Sequence, residues 1–341
     1  MTKNVLYVGN YLKGPKNPSY MFTLGPLLEA LGYRIIYTSS ANNKLVRLLD
    51  MIWSVVRHRR YVDVVLIDTY STQNFYYAVV IAWLCRRFKL IYIPILHGGN
   101  LPNRLKESPS QCQLLFGNAT ANVAPSRYLE QSFRDFGFKN IYHIPNAVAL
   151  ENLPYLRREK AELKLLWVRR LQDIYNPMMA LQVFLGLKAK GLKAELCMVG
   201  ADHDGSLDTL KSFAQKYALN VDFSGYQSKE EWVALSKNYD IFLNTSTIDN
   251  TPLSVIEVMA LGLGVVSTNV GGMPYLIDHG IEGILVDSKN VEAMTSAVLN
   301  LVEDPELFQE LTAKARQKVE TFDTIKVKQQ WKELFRSLGT K

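Results

Sequence analysis

The stretch "STIDNTPLSVIEVMALGLGVVSTNVGG", residues 246–272, sets a single glutamate, Glu257, among almost uninterrupted apolar residues. Read as a helix, it starts at Thr251, a favourable N-cap, with Pro252 in the first helical position, and it stops at Gly262 and Gly264. Leu253, Val255, Ile256, Val258, Met259 and Leu261 cover nearly every side, and a helix apolar all round is a buried one. A buried, unpartnered carboxylate is costly or takes up a proton. Glu257 therefore needs a partner, and either a hydrogen bond to a neighbouring loop or a ligand meets that need. Two features speak for a ligand. The N–H groups around Thr251, Leu253 and Ser254 form an anion site at a helix start. The strand "IFLNTS" leads into this loop, which puts it at the carboxyl end of a parallel sheet, where such folds bind ligands. Asp249, eight residues before Glu257, is either a second site acid or a turn residue bonded to local N–H groups.

Other residues could do chemistry too. His97 stands between an apolar strand and two glycines in "LHGGN" (96–100), as a site histidine or a plain loop residue. Arg169 and Arg170 end the run "LWVRRL" (166–171); Arg170 suits bidentate phosphate binding, or a surface ion pair. "YLKGPKNPSY" (11–20) offers Lys13, Gly14 and Lys16 to an anionic ligand, or is a surface turn. It is not the G-x-G-x-x-G of a dinucleotide dehydrogenase.

These residues sit on a regular frame. Short β-rich runs at 4–10, 33–40, 62–70, 89–98, 121–126 and 140–148 alternate with stretches long enough for helices. A charged segment, 150–164, reads as a linker. A second series follows at 163–170, 194–201, 220–226, 239–246, 264–270 and 283–288. Alternation of this kind predicts an α/β protein of two doubly wound parallel sheets. The domains expected are 1–150 and 151–319. The tail is helical, with Trp331, Leu334 and Phe335 on one stripe.

Charge is unevenly shared. Residues 1–150 hold 17 Lys and Arg against 7 Asp and Glu, and residues 151–341 hold 22 against 25, so the net charge of +7 comes wholly from the first part. An anionic partner is implied for that part. The segment "NKLVRLLDMIWSVVRHRRY" (43–61) has a narrow polar stripe, Lys44, Arg47, Asp50, Ser54 and Arg57, on an otherwise apolar helix, and "CRRFK" (85–89) adds three basic residues. It reads as a helix lying on an anionic membrane surface, or as a core helix with a charged end. Nucleic acid is not expected, since no recognised motif accompanies the charge. The longest apolar run, 75–85, has 11 residues, against the roughly 20 of a spanning helix. The N-terminus reads as a strand rather than a signal peptide. Cys85, Cys112 and Cys197 are odd in number and widely spaced, which suits reduced thiols. The chain is therefore expected to be cytoplasmic, or peripheral on the inner face of a membrane.

An acid, seven residues, then Glu257 in "EVMALG", followed by a "VGG" loop, resembles the signature of glycosyltransferase family 4, retaining enzymes of the GT-B fold. "LHGGN", "HIPNAV" (143–148), "LWVRRL", the run 221–246 and "GIEGILV" (280–286) resemble the family's further motifs, in order and spacing. The likeness covers nearly all of 165–290 and patches of 1–150. It implies two Rossmann-like domains facing a central cleft, with a C-terminal helix of about 320–341 packing back on the first. It implies transfer of a sugar from a nucleotide-diphosphate sugar, a donor substrate rather than a cofactor, to a carbohydrate or lipid-linked acceptor hydroxyl, with no bound metal. By the same resemblance, Glu257 would accept hydrogen bonds from the ribose and Asp249 would hold the donor sugar. Asn250, Thr251, Pro252 and Leu253 would meet the diphosphate with Arg170. Gly225 and Tyr226 would lie beside the base, and His97 would face the reacting centre.

The chain departs from the family's pattern at four positions: Asp249 where Glu is common, Arg169 where Gly is usual, Asn176 where a second phosphate-binding Lys is usual, and Tyr275 where an acid is common. The loss of a cation at Asn176 calls for a substitute, Arg169 or an N-domain lysine. It also keeps open a non-catalytic sugar-nucleotide-binding subunit, beside a sugar-nucleotide epimerase on the same fold.

Overall fold

The structure is a computed structural model that describes residues 3–12 and 19–339. It divides into two compact units, Met1–Ala147 with Phe322–Lys341, and Val148–Thr321.

The first unit carries strands β1 (Asn4–Val8), β2 (Arg34–Thr38), β3 (Val64–Tyr70), β4 (Tyr92–His97), β5 (Asn122–Ala124) and β6 (Ile141–His143). They form one parallel sheet in the order β2-β1-β3-β4-β5-β6. Side chains alternate across a strand, so Leu6 and Val8 enter the core on one face, while Val5 and Tyr7 enter the core on the other. The helices Lys44–His58 and Asn74–Arg87 cover the first face. The second is covered by Met21–Glu29 and by the helix Thr324–Ser337, whose Val327, Trp331, Leu334 and Phe335 are all buried there. The tail stripe read from the sequence is thus a core stripe.

The second unit carries β7 (Lys164–Val168), β8 (Glu195–Val199), β9 (Val221–Gly225), β10 (Ile241–Asn244), β11 (Gly264–Thr268) and β12 (Ile284–Val286). They too form a parallel sheet, in the order β12-β11-β10-β7-β8-β9. Leu165, Trp167, Ile241 and Leu243 enter a common core with Phe184, Val298 and Phe308 of the helices packed on that face. Each of the twelve apolar runs is a strand in the structure, as expected where both faces of a parallel sheet are covered.

In both sheets the strand order reverses at one place, between β1 and β3 in the first and between β7 and β10 in the second. The loops at the carboxyl ends of those strands diverge to opposite faces and leave a crevice.

Candidate functional site

In the second unit the reversal point is bounded by Arg169, just after β7, and by the loop from Thr245 to Pro252, just after β10. The loop is tied down from below. Trp167 Nε1 donates to Thr245 Oγ1 (2.9 Å), which donates to the Tyr175 carbonyl (2.8 Å); Thr268 Oγ1 donates to the Ser246 carbonyl (2.6 Å). It is also clamped from the side by the "VGG" turn. Gly272 N–H donates to the Asp249 carbonyl (3.0 Å), and a Cβ on Gly272 would lie 1.7 Å from the Asn250 carbonyl oxygen. Gly271, at φ +53°, would place its Cβ 2.0 Å from the Asp249 carbonyl oxygen. Only glycines allow this approach.

Held in this way, Asp249 accepts from the Asn250 N–H (2.9 Å) and from Ser246 Oγ (3.2 Å), and its carboxylate meets the guanidinium of Arg169. Arg169 lies over the Tyr175 ring at 4.6 Å. Burial works most strongly against its charge, but Asp249, Tyr175 and Glu257 together outweigh it and hold its pKa above the ordinary value. The Nε of Arg169 is buried and has no hydrogen-bond partner among the described residues, and the same is true of Ser254 Oγ.

Glu257 has a protein partner, Lys229, whose ammonium meets its carboxylate. Burial pushes the Glu257 carboxyl above its usual range, while Lys229 and then Arg169 pull it back. Lys229 opens the helix Lys229–Leu235, positioned by a capping box between Ser228 and Glu231. Its Nζ also lies 4.9 Å from the Trp232 ring. The chain thus has two cations, Arg169 and Lys229, beside its two acids, although Asn176 is not basic. Asn176 instead occupies the N-cap position of the helix Pro177–Ala189, without a side-chain cap, in a left-handed conformation at φ +46°.

Arg170 is exposed, and Arg169 is the arginine that meets Asp249. Two sequence expectations are corrected here. The acid helix is Leu253–Leu261, with Pro252 as its N-cap and no side-chain cap, so it starts two residues after Thr251. Pro252 supplies no N–H, and the first helical N–H groups lack intrahelical partners. The helix is not buried on every side either, since Leu253 is exposed. Asn250 and Thr251 are half-buried in the loop. Gly225, at φ +67°, accepts from the Gly200 N–H (2.7 Å) across the sheet end, and Tyr226 beside it is exposed. Gly14 lies outside the described residues.

In the first unit His97 is the last residue of β4 and is buried, rather than a loop residue. Its Nε2 lies 2.9 Å from Asp68 Oδ1, which also accepts from the Tyr7 hydroxyl (3.0 Å). The ring stacks on Tyr70 at 4.9 Å and meets the Tyr20 ring edge-on at 5.9 Å. Burial and then Asp68 push the Tyr7 hydroxyl well up, so it remains a donor. Asp68 Oδ2 is buried without a partner among the described residues, and a Cβ on Gly9 would lie 2.7 Å from it. When Nε2–H donates to Asp68, Nδ1 is left as the acceptor on the other edge of the ring. Asp68 and Lys229 were both missed from the sequence. Asp68 had a signal of the kind used for Glu257, a lone acid inside the apolar strand "VVLIDTY". Lys229 had only the capping box that places it on a helix start. Among the described residues no group of three or more His, Cys, Asp and Glu gathers as for a metal.

The family described as "Glycosyl transferases group 1" matches residues 152–318, which is most of the second unit. An uncharacterized glycosyltransferase of Haemophilus influenzae is 33% identical over 93 residues, 27% of this chain and 26% of the relative. The amylovoran biosynthesis glycosyltransferase AmsK of Erwinia amylovora is 25% identical over 264 residues, 73% of this chain and 65% of the relative. The chain thus spans less than two thirds of either. Among solved structures, HepE of Anabaena, in complex with UDP, matches with a TM-score of 0.78 at 16% identity, over 99% of this chain and 100% of that one. Residues 152–318, just under half of the chain, are similar to the glycosyl transferases group 1, and the fold is that of the GT-B glycosyltransferases.

Proposed function

We propose that the chain is a retaining glycosyltransferase of the family 4 type. It would move a hexosyl group from a nucleotide-diphosphate sugar to a hydroxyl of a carbohydrate or lipid-linked acceptor, in the assembly of a surface polysaccharide or glycolipid. The observation that carries this reading is the pairing of Asp249 and Glu257 with Arg169 and Lys229 at the reversal point of the second sheet. The complexes of HepE with UDP, with UDP and glucose, and with UDP-glucose support a nucleotide-sugar donor. AmsK, named for amylovoran biosynthesis, supports the biosynthetic setting.

In this reading Glu257 accepts from the ribose hydroxyls, displacing Lys229 toward the phosphates, and Asp249 orients the sugar hydroxyls. The bond between the anomeric carbon and the phosphate oxygen breaks, and the electron pair leaves with the diphosphate. Arg169, with its unpartnered Nε, and the N–H groups at the start of the helix Leu253–Leu261 stabilise that charge. The acceptor oxygen bonds to the same face of the anomeric carbon, and its proton passes to the departing diphosphate. His97, its ring oriented by Asp68, is a further catalytic residue in this reading. The enzyme would work at the cytoplasmic side of a membrane, meeting it through residues 43–61. No helix among the described residues is long and apolar enough to cross one.

Incubation with a panel of sugar nucleotides and acceptors, with the product anomer read by NMR, tests this. Transfer with retained configuration is expected. Glu257→Ala should weaken UDP binding about ten- to hundredfold, the worth of charge-assisted hydrogen bonds. Asp249→Ala should mainly lower kcat. Full activity in both variants would refute the site, and a change of the donor sugar without acceptor would identify an epimerase.

A further inference from the structure

The geometry points to an anionic phospholipid bilayer as the partner of a face built from two helices of the first unit, Lys44–His58 and Asn74–Arg87. This takes further the membrane contact put forward for residues 43–61, and it stands apart from the transfer reaction.

The two helices lie side by side and run the same way. At their starts Lys44 Nζ donates to Gln73 Oε1 (2.8 Å) and the Tyr77 hydroxyl donates to the Lys44 carbonyl (3.2 Å). At their ends the Arg59 guanidinium lies 5.4 Å from the Phe88 ring. Both pack on the same face of the sheet, through Met51, Val55, Phe75 and Ala78.

The first helix is turned the opposite way from an ordinary surface helix. Of the four residues it buries, Arg47, Met51, Ser54 and Val55, two are polar. Arg47 is satisfied inside by the Ala41 carbonyl (2.8 Å), the Asn42 carbonyl (3.1 Å) and Asn10 Oδ1 (3.0 Å). Most of the polar stripe read from the sequence therefore faces the protein: Asp50 is half-buried and accepts from Thr38 Oγ1 (3.3 Å). The apolar stripe faces water. Leu45 is 74% exposed, Leu49 65% and Trp53 55%, with Val46 between them also exposed. The second helix adds Tyr76 and Trp83, seven residues apart and both exposed. A folding core does not account for such a face, because the sheet lies on the other side.

Charge selects the occupant. Both helices end in basic clusters, Arg57, Arg59 and Arg60 on one, Arg86, Arg87 and Lys89 on the other, and their parallel course brings the clusters to the same end. A second copy of this face packed parallel to it would set these cations against their like. A surface of anionic headgroups over acyl chains matches both parts, the apolar stripe sinking to the chain boundary with Trp and Tyr at headgroup level and the arginines among the phosphates.

The test uses the full chain with vesicles of phosphatidylcholine, with and without phosphatidylglycerol, and no donor. Of the five tryptophans, Trp53 and Trp83 are exposed and Trp167, Trp232 and Trp331 are buried, so a blue shift of emission on binding reports on this face. Binding is expected to need phosphatidylglycerol. Both Leu49→Ser/Trp53→Ser and Arg86→Glu/Arg87→Glu should weaken it by about tenfold or more, with the thermal midpoint and UDP binding unchanged. Ile325→Ser, an exposed residue on the helix covering the opposite face of the sheet, should have no effect. Absence of vesicle binding, or binding that survives both double variants, would overturn the inference. So would a dimer in solution that the Leu49→Ser/Trp53→Ser variant dissolves. Because no readout involves transfer, failure here leaves the enzymatic reading standing, and inactivity with every donor leaves this one standing.

Discussion

Each sheet places an acid cluster where its strand order reverses, and the two clusters are satisfied by different chemistry. Asp68 in the first unit is bonded to a tyrosine hydroxyl and a histidine ring. Asp249 and Glu257 in the second meet an arginine and a lysine. The first arrangement fixes the direction of a ring, since one carboxylate oxygen takes donors from two strands. The second stores two ion pairs whose partners can be exchanged for a ligand that brings its own hydroxyls and charge. One acid is a positioning device and the other pair a binding device, although the topology that presents them is the same.

Substitutions separate the two roles. The largest effect is expected of Gly272→Ala. Its methyl would collide with the Asn250 carbonyl, moving the loop that carries Asp249 and lowering kcat/KM by about a hundredfold, the usual cost of a misplacement near 1 Å; UDP calorimetry should show the same loss. Next, Asp68→Asn should reduce kcat by about ten- to hundredfold and leave the donor KM nearly unchanged, because the acid acts through His97. A rise in donor KM instead would show that the first cluster binds rather than positions. Lys229→Met should weaken UDP binding by about three- to tenfold with little dependence on salt, since the ammonium nitrogen is buried and a buried pair is screened little.

The smallest effect concerns stability. The folded pKa of Glu257 lies above its unfolded value, so the folded state holds the proton more tightly. Stability is therefore lost as pH rises from the ordinary glutamate range through the folded pKa. Glu257→Gln escapes that loss. The thermal midpoint of the variant relative to the parent should climb between pH 4 and pH 7, the ordinary carboxyl range and neutrality, and a flat difference would count against the burial argument.

Much of this was legible in the sequence. The strands were, because a parallel sheet covered on both faces leaves its strands as plain apolar runs. Glu257 was, because one acid in an apolar helix demands a partner. The pairing of Arg169 with Asp249 was not, since the two lie 80 residues apart and meet only in the folded sheet. Lys229 was not, since it approaches Glu257 through tertiary packing from 28 residues away. The orientation of the helix Lys44–His58 was not either: an amphipathic pattern defines two faces but not which of them meets the protein.

The helix Thr324–Ser337 completes the core of a unit whose other residues lie more than 170 positions earlier. As the chain leaves the ribosome, Val5, Tyr7 and Leu27 must wait for Trp331 and Phe335, while all of Val148–Thr321 has already emerged. The later unit can therefore mature before the earlier one, against the usual N-terminal-first order. Until the last helix arrives, an uncovered sheet face is what a chaperone would have to shield.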